Sequence, residues 1–193
     1  MILAGCVSTT PHVTTVAKGD APLHQGKEID LYRSTLALNK QSPARIYLEP
    51  IGTAKTLDPS ILTRLDSVNY LTKAITRAIE TQTSWKVVPH AQDSTAKLKL
   101  VIVELTPGSR AARAWAAELG AGHAIIQIEG VLSDSATGSE LAAFADKRRD
   151  SGAIGFEDVF YDASPTLVNR LLEAFTSGLV KEIQSDAQRN TKE

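Results

Sequence analysis

The chain has 193 residues, of which 42% are hydrophobic and 22% charged, enough for one sizeable core and too few for several. With 21 Lys and Arg against 22 Asp and Glu the formal net charge is -1, which removes any chain-wide electrostatic case for nucleic acid or an anionic membrane surface. One cysteine forms no internal disulfide, and with four scattered histidines it lacks the close ligand spacing of a structural zinc site.

At the amino terminus, Leu3-Ala4-Gly5-Cys6 closely resembles the lipobox of bacterial lipoproteins. In that family small residues before the cysteine admit a signal peptidase, and the thiol accepts a diacylglyceryl group. The resemblance implies that Cys6 is the lipidation site and that residues 1–5 are the remnant of a signal peptide, with only Ile2, Leu3 and Ala4 left of an apolar stretch. The alternative is an idle thiol on a cytosolic protein. Acyl chains anchor through about 0.8 kcal/mol per buried methylene, so the polypeptide itself need not span a membrane. Val7, in place of the Asp associated with inner-membrane retention, implies the periplasmic face of the outer membrane. Residues 6–43 are expected to form the lipid anchor and a flexible tether. Within them, 7–27 are rich in Thr, Pro, Gly and Ala without a sustained apolar period.

Regular patterns begin near Ala44. Arg45 to Glu49 alternates, with Ile46 and Leu48 on one face, and predicts a strand ending at Pro50. Asp58-Pro59 predicts a helix start, with Asp58 as cap, Pro59 at the first helical position and Leu57 as a staple onto Leu62. Ile61, Leu65, Val68, Ile75 and Ile79 then mark one long amphipathic helix ending near Thr83. Trp85 to Val88 predicts a short strand. Lys97 to Leu105 predicts a longer one, apolar on both faces in its second half and therefore central. His123 to Leu132 and Glu140 to Arg148 predict an antiparallel pair joined by a turn at Asp134 to Gly138, with Gly138 at positive φ. Ser164-Pro165 opens a second helix with Val168, Leu171, Leu172, Phe175, Leu179 and Ile183 on its apolar stripe. The expected order is β-α-β-β-β-β-α. It predicts an α+β two-layer sandwich, a mainly antiparallel sheet carrying two amphipathic helices, as a single domain over 44–188 with a polar tail at 189–193.

The connection from Thr106 to His123 is the most unusual stretch. Pro107-Gly108 breaks the strand, Ala-rich residues 109–119 suit a short helix, and Gly120-Ala121-Gly122 stops it. Arg110, Arg113 and Trp115 are the candidate partner-binding residues, because Trp and Arg are enriched at binding hot spots; a solvent-exposed connector is the competing reading. Lys147-Arg148-Arg149-Asp150 is read as a solvated strand end balanced by Asp146 and Asp150. Glu157, Asp158 and Asp162 are read as a polar loop in preference to paired carboxylates. A Gly-x-Ser-x-Gly elbow is absent, and His12, His24, His90 and His123 show no metal-ligand spacing. No catalytic residue, metal or cofactor is expected, and the chain is not expected to be an enzyme.

Gly108-Ser109-Arg110-Ala111, Gly120-Ala121-Gly122, the alternating apolar strand, Leu132 to Gly138 and Leu141-Ala142 together resemble uncharacterised Gram-negative lipoproteins assigned to domains of unknown function. The resemblance extends from the Cys6 lipobox through the second helix and is specific only over 104–150. The element order also looks like the amino-terminal domain of TolB and the periplasmic domain of the curli secretion channel lipoprotein. That likeness implies a docking or assembly module of the envelope, attached to the membrane through a lipidated cysteine, with a protein partner or self-association and no nucleic acid. Fold alone does not fix such a role. The alternatives are an auxiliary lipid-binding component of an envelope transport system, and an envelope hydrolase using His123 with Glu157 and Asp158.

Overall fold

The computed structural model describes residues 11–14, 17, 19, 21–34, 45–108, 123–150 and 164–189, with the backbone alone at 164–165 and 186–189. Among them are eight strands: β1 (His24–Gln25), β2 (Leu31–Ser34), β3 (Arg45–Leu48), β4 (Gly52–Thr53), β5 (Lys86–Val88), β6 (Ala96–Thr106), β7 (Ala124–Asp134) and β8 (Glu140–Asp150). Three α-helices accompany them: α1 (Pro59–Leu65), α2 (Ser67–Gln82) and α3 (Ser164–Arg189). The strands form one open sheet in the order β1-β2-β8-β7-β6-β3-β5, with β4 also on β6. Four pairs are antiparallel; β3 lies parallel to both β5 and β6, and β4 parallel to β6. The fold is the expected two-layer α+β sandwich.

The frame is the meander β6-β7-β8, three strands of 11 residues each. Alternation along them sorts side chains between two faces. Leu98, Leu100 and Ile102 of β6, Ile126, Ile128 and Leu132 of β7 and Phe144 of β8 are buried in one core with Leu71, Ile75 and Ile79 of α2. From α3 come Val168, Leu171, Leu172, Phe175, Leu179 and Ile183, every position of the predicted stripe. Phe144 and Phe175 join the layers, their ring centroids 6.1 Å apart at 43°. Complete burial of a side chain of this size contributes about 1.5–3 kcal/mol, and the face under the helices holds these residues.

Local signals act as their chemistry requires. The Asp58 side chain accepts from the Ser60 amide at 2.8 Å, with Pro59 starting α1. Gly138 has φ +71° in the β7–β8 turn, where Asp134 accepts from the Ala136 and Thr137 amides. These donors hold the Asp58 and Asp134 carboxyls below the usual carboxylate value.

Three expectations change. The single helix over 58–83 is two, because Asp66 turns left-handed at φ 48° and ψ 30° while its amide reaches the Leu62 and Thr63 carbonyls. Asp tolerates this conformation better than most side chains, and Asn69 donates to its carboxylate at 2.7 Å. The second helix runs to Arg189, past the expected fraying near Ser185. Most consequentially, residues expected in the tether belong to the sheet. Leu31 to Ser34 pair with Ala145 to Ala142 of β8, and His24-Gln25 pair with Tyr32-Leu31. A four-residue Leu-Tyr-Arg-Ser strand is too short to show a period, so its state is decided by the open edge of β8.

Candidate functional site

The sheet face away from the helices is covered in part by the amino-terminal segment. Gln127, 2% exposed, and Glu129, fully buried, project from β7 on this side together with Ala143 and Ala145 of β8. The His12 amide donates to Gln127 Oε1 at 3.3 Å, and Gln127 Nε2 donates to the His12 carbonyl at 2.8 Å. Two residues on, Glu129 accepts from the Thr14 amide at 2.7 Å and the Thr14 hydroxyl at 2.8 Å. A buried carboxylate without such donors would be strongly destabilising; here each oxygen has at least one, and hydrogen bonds to charged groups contribute about 1.5–3 kcal/mol. Farther along, Arg33 of β2 pairs with Glu140 at 2.7 Å and donates to the carbonyls of Ala17 and Ala21. The segment therefore runs along the outer face from the Glu140 end of β8 toward the start of β7.

A bulge completes this face. The β6–β7 register shifts between Ile102 and Glu104, which sets Glu104 opposite Gln127, itself opposite Lys147. Across that row Lys147 and Glu104 form an ion pair at 2.8 Å.

On the helix side the chain is clamped a second time. Glu182 of α3, 2% exposed, accepts from the amides of Lys27 at 2.7 Å and Glu28 at 2.6 Å. Asp146 of β8, 3% exposed, accepts from the Asp30 amide at 3.0 Å, and Asp30 accepts in return from the Lys147 amide at 2.9 Å. Arg148 bonds Asp146 at 2.5 Å and the Glu28 carbonyl at 2.7 Å. Gly178 makes room for this approach: a Cβ there would stand 2.7 Å from Arg148 Nη2 and 2.8 Å from the Glu28 carbonyl. Burial pushes the Asp146 carboxyl above the usual carboxylate value, opposed by the Arg148 guanidinium. Glu129, Asp146 and Glu182 are the buried charged residues among those described, and all three hold main-chain amides of residues 14–30. They act as clamps on the amino-terminal segment.

Two shallow clefts border the clamps. One, of about 490 Å³, lies between Pro22 to Lys27 and Tyr32 to Ser34; the other, of about 310 Å³, lies beside Glu28, Asp30 and Arg148. A third, of about 410 Å³, separates α2 from α3, where the Tyr70 hydroxyl donates to Glu173 at 2.5 Å. This bond raises the Tyr70 phenol above its ordinary value.

The candidate residues from the sequence fall elsewhere. Cys6 lies outside the described residues, as do Arg110, Arg113 and Trp115 and the carboxylates Glu157, Asp158 and Asp162. The ends of that connection are placed: Thr106 pairs with Ile125 and Ala124 with Asp150, so it leaves and rejoins the sheet at one end. His123 stands there, its Nε2 buried without a hydrogen-bond partner. His12, His24 and His90 are exposed. Among the described residues no group of three or more His, Cys, Asp or Glu is arranged to hold a metal. Of the basic run, Lys147 pairs with Glu104 and Arg148 with Asp146, whereas Asp150 pairs with Arg170 of α3. The three carboxylate clamps were not foreseen. Their one signal is the placement of Gln127 and Glu129 between Ile125 and Val131 on a strand face, which reads equally well as a solvated edge.

A β-meander carrying two long helices, with its amino-terminal chain built into the sheet edge, is the geometry to set beside known proteins. Residues 63–153 match the family model described as "Domain of unknown function (DUF4410)". The match covers a little under half of the chain and bears out the resemblance to domains of unknown function. No curated protein matches. Among solved structures, the chain is similar to a Xanthomonas campestris protein of family DUF330, at 13% identity and a TM-score of 0.48, covering 93% of this chain and 98% of that one. It is similar also to the PelC dodecamer from Paraburkholderia phytofirmans, at 15% identity and a TM-score of 0.42, covering 74% and 95%. A lipoprotein from Neisseria meningitidis is similar at 14% identity and a TM-score of 0.37, covering 67% and 96%.

Proposed function

We propose that this chain is a lipid-anchored protein of the Gram-negative envelope, attached through Cys6 at the periplasmic face of the outer membrane. Its α+β domain docks a protein partner or a second copy and does not turn over a substrate. The observation that carries the reading is the position of Leu3-Ala4-Gly5-Cys6 six residues ahead of His12, which is hydrogen-bonded to Gln127 of the sheet. An acyl group on Cys6 would then be attached to the domain itself. Among the described residues no helix is long and apolar enough to cross a membrane, so the acyl chains would supply the attachment. The three buried carboxylates are occupied by main-chain amides, which supports a structural duty for them over acid–base chemistry.

The test is acyl labelling of the full-length protein expressed with its native upstream sequence, with and without globomycin. Label on the wild type, its loss in Cys6→Ala, and accumulation of a larger precursor under globomycin are expected. An unlabelled wild type together with a membrane-bound Cys6→Ala overturns the reading.

A further inference from the structure

We infer that the domain stands end-on to the bilayer, with the end of the sheet where β7 begins and β8 finishes facing the lipid. The inference rests on the anchor reading of Cys6 and adds to it an orientation and a surface. His12 is held to Gln127 by two hydrogen bonds and follows Cys6 by six positions. At 3.3–3.6 Å per residue a chain of that length reaches about 20 Å at most. The acyl chains are thus confined near the Gln127 row, whereas a tether running to residue 43 would have let the domain roam.

Direction sets which end approaches. Going from Ala17 and Ala21, beside Arg33, to Thr14 on Glu129 and His12 on Gln127, the chain travels toward Ala124. It is therefore aimed past the end of the sheet formed by Thr106, Ala124, Ile125, Arg149 and Asp150. The β7–β8 turn around Thr137 stands at the opposite end, about 30 Å away along strands rising about 3.4 Å per residue. The partner that fits the first end is a phospholipid surface, because the described chain leads toward that end at His12 and only six positions separate His12 from Cys6.

The orientation can be read by fluorescence quenching. A thiol-reactive fluorophore is placed on Thr106→Cys or on Thr137→Cys, both exposed positions, in the acylated full chain, where the Cys6 thiol is blocked by lipid. The chains are reconstituted into phosphatidylethanolamine–phosphatidylglycerol vesicles containing head-group-nitroxide lipid. Quenching several-fold stronger at Thr106 than at Thr137 is expected. Inserting 20 Gly/Ser residues between Val7 and Pro11 adds a coil of about 25 Å and should abolish the difference. Equal quenching at the two positions with intact acyl mass, as for a domain lying flat, overturns the orientation while leaving the anchor standing. So does a difference that survives the insertion. Absence of acyl mass on Cys6 overturns the anchor and the orientation together.

Discussion

Gly130 of β7 lies directly opposite Phe144 of β8, and the Phe144 ring occupies the space where any side chain at 130 would stand. A Cβ at Gly130 would also meet the Lys99 carbonyl oxygen at 2.7 Å, a main-chain atom that cannot swing aside. The ring is then free to reach Phe175 across the layers. Sheet and helix layer therefore meet through an absence in one strand and an aromatic ring in the next. Gly130→Ala should cost about 3 kcal/mol by overpacking, the upper end of the usual range, measured by urea denaturation. The double variant Gly130→Ala with Phe144→Leu should lose less than the sum of the two single losses, since the smaller side chain vacates part of the contested volume. Strict additivity would refute the assignment of the clash to the ring.

Glu129 offers a second test. Glu129→Ala removes both acceptors of Thr14 and leaves its amide under the outer face without a partner. A loss of about 2–3 kcal/mol is expected. Amide exchange at Thr14 should accelerate more than exchange in β7, and Glu129→Gln, which keeps one acceptor, should fall between. Unchanged protection at Thr14 would mean that the carboxylate does not hold the segment.

Asp146 gives a pH dependence of defined sign. Burial raises its folded-state value above the ordinary 3.8, so the folded protein keeps a proton there that the unfolded chain has released. The stability this group contributes is full below pH 3.8 and declines as pH rises through the raised value, where the charge must be buried. Asp146→Asn lacks the titration. The stability of the wild type relative to Asp146→Asn should therefore be greater near pH 4 than near pH 7, read from urea midpoints. The opposite trend would show that the Arg148 pairing outweighs burial.

Truncation separates a tether from a structural element. Deleting residues 1–10 should leave the unfolding midpoint nearly unchanged, because the first described hydrogen bonds begin at His12. Deleting residues 1–34 removes β1 and β2 and opens the β8 edge from Ala142 to Ala145. It also exposes Glu129 and leaves Glu182 and Asp146 without the amides they bind. Aggregation or a large fall in midpoint is expected, measured by size-exclusion chromatography and thermal melting. Equal behaviour of the two truncations would restore the free tether.

Much of the frame is legible residue by residue. The alternation of Ile126, Ile128 and Leu132, the three-to-four spacing from Val168 to Ile183, the Asp58-Pro59 start and the Asp134 to Gly138 turn each report a local rule. Each holds in the structure. The break at Asp66 was hidden because the apolar stripe continues across it, and one left-handed residue interrupts the helix without disturbing the pattern. Of the candidate site residues, Cys6, Arg110, Arg113 and Trp115 lie outside the described residues.

The first 34 residues mark the boundary between the two kinds of information. By itself the sequence determined one core, two amphipathic helical stripes and a central antiparallel meander, because periodicity is a property of neighbours along the chain. It could not determine that His12, Thr14 and residues 21–34 lie against the sheet, because their Thr, Gly and Pro content carries no period and their partners lie more than 100 residues away. Only the tertiary structure decided that. Glu129, Asp146 and Glu182 are ordinary charged residues until the fold buries them, and once buried they require donors, which the main-chain amides of Thr14, Lys27, Glu28 and Asp30 supply.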